Sequence, residues 1–87
     1  MTVYTYIIKS TVENRYFYGQ TTNLMRRLNQ HNRGLEEATR SGRPWVLVAY
    51  REFNTRSGAM SYERRLKALI NATEVEKFIR DHHFHLV

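Results

Sequence analysis

Early in the chain two apolar, aromatic stretches flank a polar break: residues 1–9 are rich in Val, Tyr, Thr and Ile, residues 15–20 are again aromatic, and residues 10–14 are polar. This pattern predicts a β-hairpin. Thr22 or Asn23 can cap a helix over residues 24–33, and Gly34 suits the left-handed position that closes it. Residues 35–44 hold the only proline and no sustained period, which reads as a loop or irregular segment with Arg40 and Arg43 facing solvent. Residues 45–50 form a near-continuous apolar run, the signature of a strand buried on both faces and therefore central in a sheet. Thr55 opens a second helix, in which Ala59, Tyr62, Leu66, Leu69 and Ile70 recur at three- and four-residue steps and which ends around Asn71. Thr73 followed by Glu76 has capping-box spacing, so a last short helix runs through Arg80. The predicted fold is α/β of the α+β type, in the order β-β-α-β-α-α.

No repeat, linker or low-complexity tract divides the 87 residues, so residues 1–87 read as a single domain with room for one core. A composition 41% hydrophobic and 25% charged is that of a soluble globular chain, and no run approaches the roughly 18 apolar residues of a membrane span. The lack of cysteine excludes disulfides, thiol catalysis and cysteine-ligated zinc. With no charged-then-apolar leader in view, a reducing cytoplasm is the expected location. Fourteen Lys and Arg against eight Asp and Glu give a formal charge of +6, which favours a polyanionic partner such as nucleic acid. Eleven of those cations are arginine, a bias that suits forked contacts to phosphate, although a solvated basic surface explains the charge of many domains.

Arg27 and His31 lie four residues apart and share a helix face beside Leu24 and Leu28. That spacing equally suits a snorkelling arginine at the core margin and a hydrogen-bonded surface histidine. Glu63 falls within about 20° of Ile70 around the second helix, at the edge of the apolar stripe, where an acid is costly unless paired or bound to a hard cation such as Mg²⁺. A surface pair with Lys67, four residues on, is the plainer reading. Tyr4, Tyr6, Tyr16, Phe17 and Tyr18 crowd the hairpin; alternation puts Tyr4 and Tyr6 on one face and sets Phe17 opposite Tyr16 and Tyr18. Asp81, His82, His83 and His85 look superficially like a metal patch, but chain ends rarely provide three fixed ligands.

Taken together, these residues resemble the GIY-YIG nuclease superfamily from Val3 to about Arg80, and the segment from Gly42 to Val48 is similar to the loop-strand of its small stand-alone bacterial members. The first motif stands as Tyr4-Thr5-Tyr6 and the second as Phe17-Tyr18-Gly19. The run Thr21-Thr22-Asn23-Leu24-Met25-Arg26-Arg27-Leu28, followed by Gln30-His31-Asn32, resembles the family helix with its arginine at Arg27 and histidine at His31, and the family acid falls at Glu63.

The resemblance implies a divalent-metal-dependent endonuclease acting on DNA or RNA, with a three-stranded antiparallel sheet flanked by helices. In that picture Glu63 holds Mg²⁺ or Mn²⁺, Arg27 offsets charge on the phosphate oxygens, Tyr6 positions or deprotonates the attacking water, and His31 orients the water or Tyr6 or contacts phosphate. A phenol with an ordinary pKa of about 10 needs a nearby cation to act as a base at neutral pH. Arg26, Arg40, Arg43, Arg64 and Lys67 are candidates for nucleic-acid contacts. Two positions depart from the pattern: Phe17 stands where the family has tyrosine, and Tyr4 where it has glycine. Either Tyr6 suffices alone, or activity is reduced or lost and the chain is a nucleic-acid-binding module; a protein-interaction module explains the charge least well. Larger relatives carry added DNA-binding domains, so specificity here is expected to be low, structure-directed or supplied by a partner protein, with a monomer or a homodimer as the working unit.

Overall fold

A computed structural model of the chain describes residues 1–87. The hairpin forms as β1 (Val3–Ser10) and β2 (Tyr16–Thr21), and β1 pairs on its other edge with β3 (Trp45–Phe53), both antiparallel. A fourth strand, β4 (His85–Leu86), adds to β3, so the sheet has four strands in the order β2-β1-β3-β4 instead of the three expected. Two residues are too few to leave a period in the sequence. β3 is one of the two inner strands, as expected, but it is not buried on both faces: β1 is buried almost throughout, whereas β3 leaves Val46 exposed and Leu47 and Val48 partly so. A register shift between Ile7 and Ile8 bends the β1–β3 pair.

Helices cover both faces. On one face lies α1 (Leu24–Asn32), started by the Asn23 side chain accepting from the Arg26 N–H and closed by Gly34 at φ 77°. The segment read as irregular contains a 3-10 helix, Glu37–Gly42, which packs with α1. Tyr6, Ile8 and Trp45 form the core on this side, with Phe17, Leu24 and Leu28 around them. On the other face lie α2 (Arg56–Lys67), capped by Thr55, and α3 (Ala72–Asp81), packed through Leu66, Val75, Phe78 and Ile79 onto Ile7 and Ala49.

Two helix boundaries differ from expectation. The second helix stops at Lys67, and Ile70 lies beyond it with 88% of its surface exposed, so the apolar stripe ends at Leu66 with Leu69 partly buried. The last helix is capped by Asn71, which accepts from the Glu74 N–H, while Glu74 accepts from the N–H of Ile70, one residue before the cap; Thr73 and Glu76, expected to form a capping box, lie inside the helix. The tail histidines disperse, His82 stacking on Phe78 and His85 on Tyr50, and no three ligating side chains converge. No helix is long and apolar enough to cross a membrane.

Candidate active site

Tyr6 sits in the middle of β1 and points toward α1, only 2% exposed. Its cross-strand neighbour is Gly19, and a Cβ at that position would overlap the Tyr6 hydroxyl and ring, so the glycine is the space in which the phenol lies. The hydroxyl meets His31 Nε2 at 2.8 Å and accepts from Arg27 Nε at 3.3 Å. Alternation along β1 and the four-residue step on α1 bring the three together.

His31 has no exposed surface, and its other nitrogen, Nδ1, meets the Thr39 hydroxyl at 2.8 Å. The Thr39 hydroxyl in turn donates to the Glu36 carbonyl at 3.4 Å. That direction fixes the rest of the chain by hydrogen-bond counting: Nδ1–H donates to Thr39, Nε2 accepts from Tyr6, and Tyr6 accepts from Arg27. Burial, with help from the Arg27 charge and against Glu36, lowers the His31 pKa to about 4, so the imidazole is neutral near pH 7. Burial also raises the Tyr6 pKa above its ordinary value, more than the Arg27 hydrogen bond and charge lower it, and the Glu63 and Glu36 charges push the same way as burial. Tyr6 is therefore a protonated phenol. The cation beside it does not turn it into a standing base.

Arg27 is held at three points. Besides Tyr6 it donates to the Gln30 side chain at 3.2 Å and to the Glu36 carboxylate at 2.9 Å. Burial works against its charge, but the bonds to Glu36 and Tyr6 more than offset this and raise its pKa, while the Glu36 carboxyl is held below its usual range chiefly by Arg27. Glu63 comes from α2 on the other side of a groove of about 330 Å³ whose lining includes Tyr6, Gly19, Arg27, Glu36 and Lys67. Its side chain is 18% exposed and its Oε2 pairs with Lys67 Nζ at 2.6 Å. The surface pair weighed from sequence thus exists, within the same groove as the arginine network.

Phe17 is on the Tyr6 face, its ring edge-on to His31 at 5.2 Å between centroids, where it walls in the imidazole. Tyr18 is on the opposite face against Ile7 and lines the groove from there. Of the cations proposed to contact nucleic acid, Lys67 lines the groove and Arg64 borders it in a shallow hollow shared with Gln20, Met60 and Glu63. Arg26, Arg40 and Arg43 are exposed elsewhere, the last two donating to backbone carbonyls of Gly34 and Arg40.

Several site residues escaped sequence reading. Glu36, Thr39 and Gln30 hold Arg27 and His31, and Asn32 brackets the Trp45 backbone, donating to its carbonyl at 3.0 Å and accepting its N–H at 2.6 Å. Trp45 in turn donates from Nε1 to the Thr39 carbonyl at 2.7 Å. Glu36 and Thr39 lie in the aperiodic segment, where no spacing signals a role. Asn32 carried a signal, standing next to His31 in the quoted motif.

A family model described as the GIY-YIG catalytic domain matches residues 2–81. The chain belongs to the GIY-YIG family. Small relatives share it: a UPF0213 protein of Listeria innocua is 37% identical over 65 residues, 74% of this chain and 71% of the relative, and one of Haloquadratum walsbyi is 39% identical over 66 residues, 75% and 73%. The solution NMR structure of a UPF0213 protein from Bacillus halodurans is similar, with a TM-score of 0.56 and 30% identity over 92% of this chain and 84% of that one. Tyr6 and Gly19, which the sequence resemblance puts at the ends of the first and second motifs, are in direct contact in this GIY-YIG chain.

Two carboxylates line the groove, Glu36 held by Arg27 and Glu63 across from it, and Glu63 is the one that could take a divalent metal without breaking the arginine network. Its carboxylate is a hard oxygen donor in an open polar groove, which suits the mode in which Mg²⁺ binds one carboxylate and keeps waters or takes phosphate oxygens. Lys67 would have to release Oε2 for a cation to take its place.

Proposed function

We propose that this chain is an endonuclease that hydrolyses phosphodiester bonds in DNA, with RNA as the second substrate class to test. The reading is carried by one observation: Tyr6 and Arg27, with the buried His31 bonded behind the Tyr6 hydroxyl, line a single groove with the Glu63 carboxylate. Family membership and the formal charge of +6 point the same way.

In this account a phosphodiester enters between Arg27 and Glu63. Arg27 keeps its bonds to Tyr6 and Gln30 and exchanges Glu36 for a non-bridging oxygen, which it stabilises as charge builds. Water attacks phosphorus in line, the bond to the leaving oxygen breaks, and the water proton passes to the Tyr6 oxygen as the Tyr6 proton passes to His31 Nε2. The buried neutral imidazole is a weak base but is already aimed at the phenol. Thr39 holds its tautomer and Phe17 holds its plane. A divalent cation such as Mg²⁺ or Mn²⁺ at Glu63 would supply Lewis-acid polarisation of the phosphate and stabilise the leaving oxygen. Lys67 and Arg64 hold the flanking backbone.

A binding module without turnover is the second reading, and Phe17 in place of a phenol favours it. The test is a panel of single-stranded, duplex, flapped and four-way-junction DNA and a matched RNA, with Mg²⁺, Mn²⁺ or chelator. The nuclease reading expects metal-dependent cleavage that Glu63→Gln abolishes while binding in chelator persists. If the protein binds these substrates and cuts none, with Phe17→Tyr equally inert, the binding module is the correct reading.

A further inference from the structure

On the Tyr18 side of the groove, a slot of about 380 Å³ opens between β2 and the turn joining α2 to α3. One wall is aromatic: Tyr16 and Tyr18 project from the same face of the edge strand with rings 6.3 Å apart and only 19° from parallel. The other wall is Leu69 and Ile70, the latter 88% exposed even though its backbone N–H is tied down by Glu74 at 2.6 Å. The lining also includes Asn14, Arg15 and Asn71; Asn71 uses Oδ1 to cap α3 and has its Nδ2 donors to spare. The slot adjoins the candidate active site at Tyr18, which lines both.

We propose that this slot binds an unpaired nucleobase of the nucleic-acid substrate, next to the phosphate that is cut. The inference rests on the nuclease reading for its substrate and adds the class: strands with at least one unpaired base beside the scissile bond. A planar base has two faces to cover and polar edges to satisfy, which stacked phenols, an apolar side chain and two amides provide. A base inside a duplex has its faces stacked and its pairing edge engaged, and cannot enter. Two strand residues advance the wall by about 6.6 Å, so Tyr16 and Tyr18 offer stacking surface over about one extended nucleotide step from the groove.

The test measures binding in chelator, where nothing is cut, of a fluorescein-labelled single-stranded oligonucleotide and a blunt hairpin duplex, for wild type, Ile70→Asp, Tyr16→Ala and Tyr16→Phe. Ile70 is exposed and Ile70→Asp leaves the fold intact, which a thermal melt checks. The expected result is a roughly tenfold loss of single-strand affinity for Ile70→Asp and Tyr16→Ala, recovery in Tyr16→Phe, and duplex affinity within about twofold of wild type. A 2-aminopurine in the single strand should lose quenching in the same two variants. Unchanged single-strand binding in both variants, or an equal loss on both substrates, overturns the slot, as does light scattering that shows a dimer broken by Ile70→Asp. The two readings separate cleanly: a wild type that cuts while the variants bind unpaired strands normally defeats the slot alone, and one that binds through the slot yet cuts nothing with metal defeats the nuclease alone.

Discussion

His31 couples the site to the stability of the chain because a fully buried imidazole must stay neutral. Unfolded, it takes up a proton below its ordinary value of 6.5; folded, beside Tyr6 and Thr39 and with Arg27 and Glu36 the charges nearby, it does so only near 4. Its contribution is complete above pH 6.5 and drains away as the pH falls toward 4, amounting to roughly 2 to 3 kcal/mol by pH 4.5. Urea unfolding at pH 7 and pH 4.5 should show that loss, and His31→Gln should remove most of it. The Glu36 carboxyl, held low by Arg27, adds a loss of the same sign at lower pH that the variant keeps. Gly19 is the second decisive residue. A Cβ there meets the Tyr6 hydroxyl, so Gly19→Ala must push the phenol off His31 and Arg27. It is expected to cost about 1 to 3 kcal/mol and to lower cleavage at least 100-fold, read by a thermal melt and a single-turnover assay. Sequence reading named Tyr6, Arg27, His31 and Glu63 by motif but not the residues that hold them: Glu36 and Thr39 lie beyond the end of α1, in a segment where the helical period of Arg27 and His31 no longer runs.

Glu63 depends on the seating of α2. Leu66 is fully buried against the Ile7 side of the sheet, and the Thr5 hydroxyl donates to the Ala59 carbonyl at 2.7 Å, fixing the helix above β1. Leu66→Ala should destabilise the chain by about 2 to 5 kcal/mol and lower the melting temperature by well over 8 °C. Elements with strong local signals were legible: α1 with its Asn23 cap and Gly34 closure, and the Thr55 start of α2. Those without one were not. The 3-10 helix has too few residues for a period, β4 has two, and periodicity that continues through Ile70 cannot register the helix end at Ala68, whose N–H bonds back to Arg65. Burial of both faces was assigned to β3 from its composition, yet Val46 is exposed and Leu47 and Val48 are only partly buried; the strand buried almost throughout is β1, a property of topology.

At the scale of the whole molecule, the excess positive charge would make the proposed nucleic-acid binding electrostatic, but only part of that charge is near the groove. Arg64 borders it, and Arg64→Ala should weaken every nucleic-acid substrate alike and make the slope of log affinity against log salt shallower by about 1, as measured by titration at several salt concentrations. Arg26→Ala, from an exposed position on α1 outside the groove lining, should change affinity less. The central claim is that the arginine network and the acid across the groove act as one phosphodiester-cleaving site. Its most direct test is the single-turnover cleavage rate with Mg²⁺ of wild type, Arg27→Ala, Glu63→Gln and the double variant, each checked for folding by circular dichroism. The account predicts metal-dependent cleavage by wild type, losses of at least about 100-fold in each single variant, and a double variant hardly slower than the worse of the two, because groups that act as a unit are not additive. Rates for the single variants within twofold of wild type, or no wild-type cleavage above the chelator control, would contradict it.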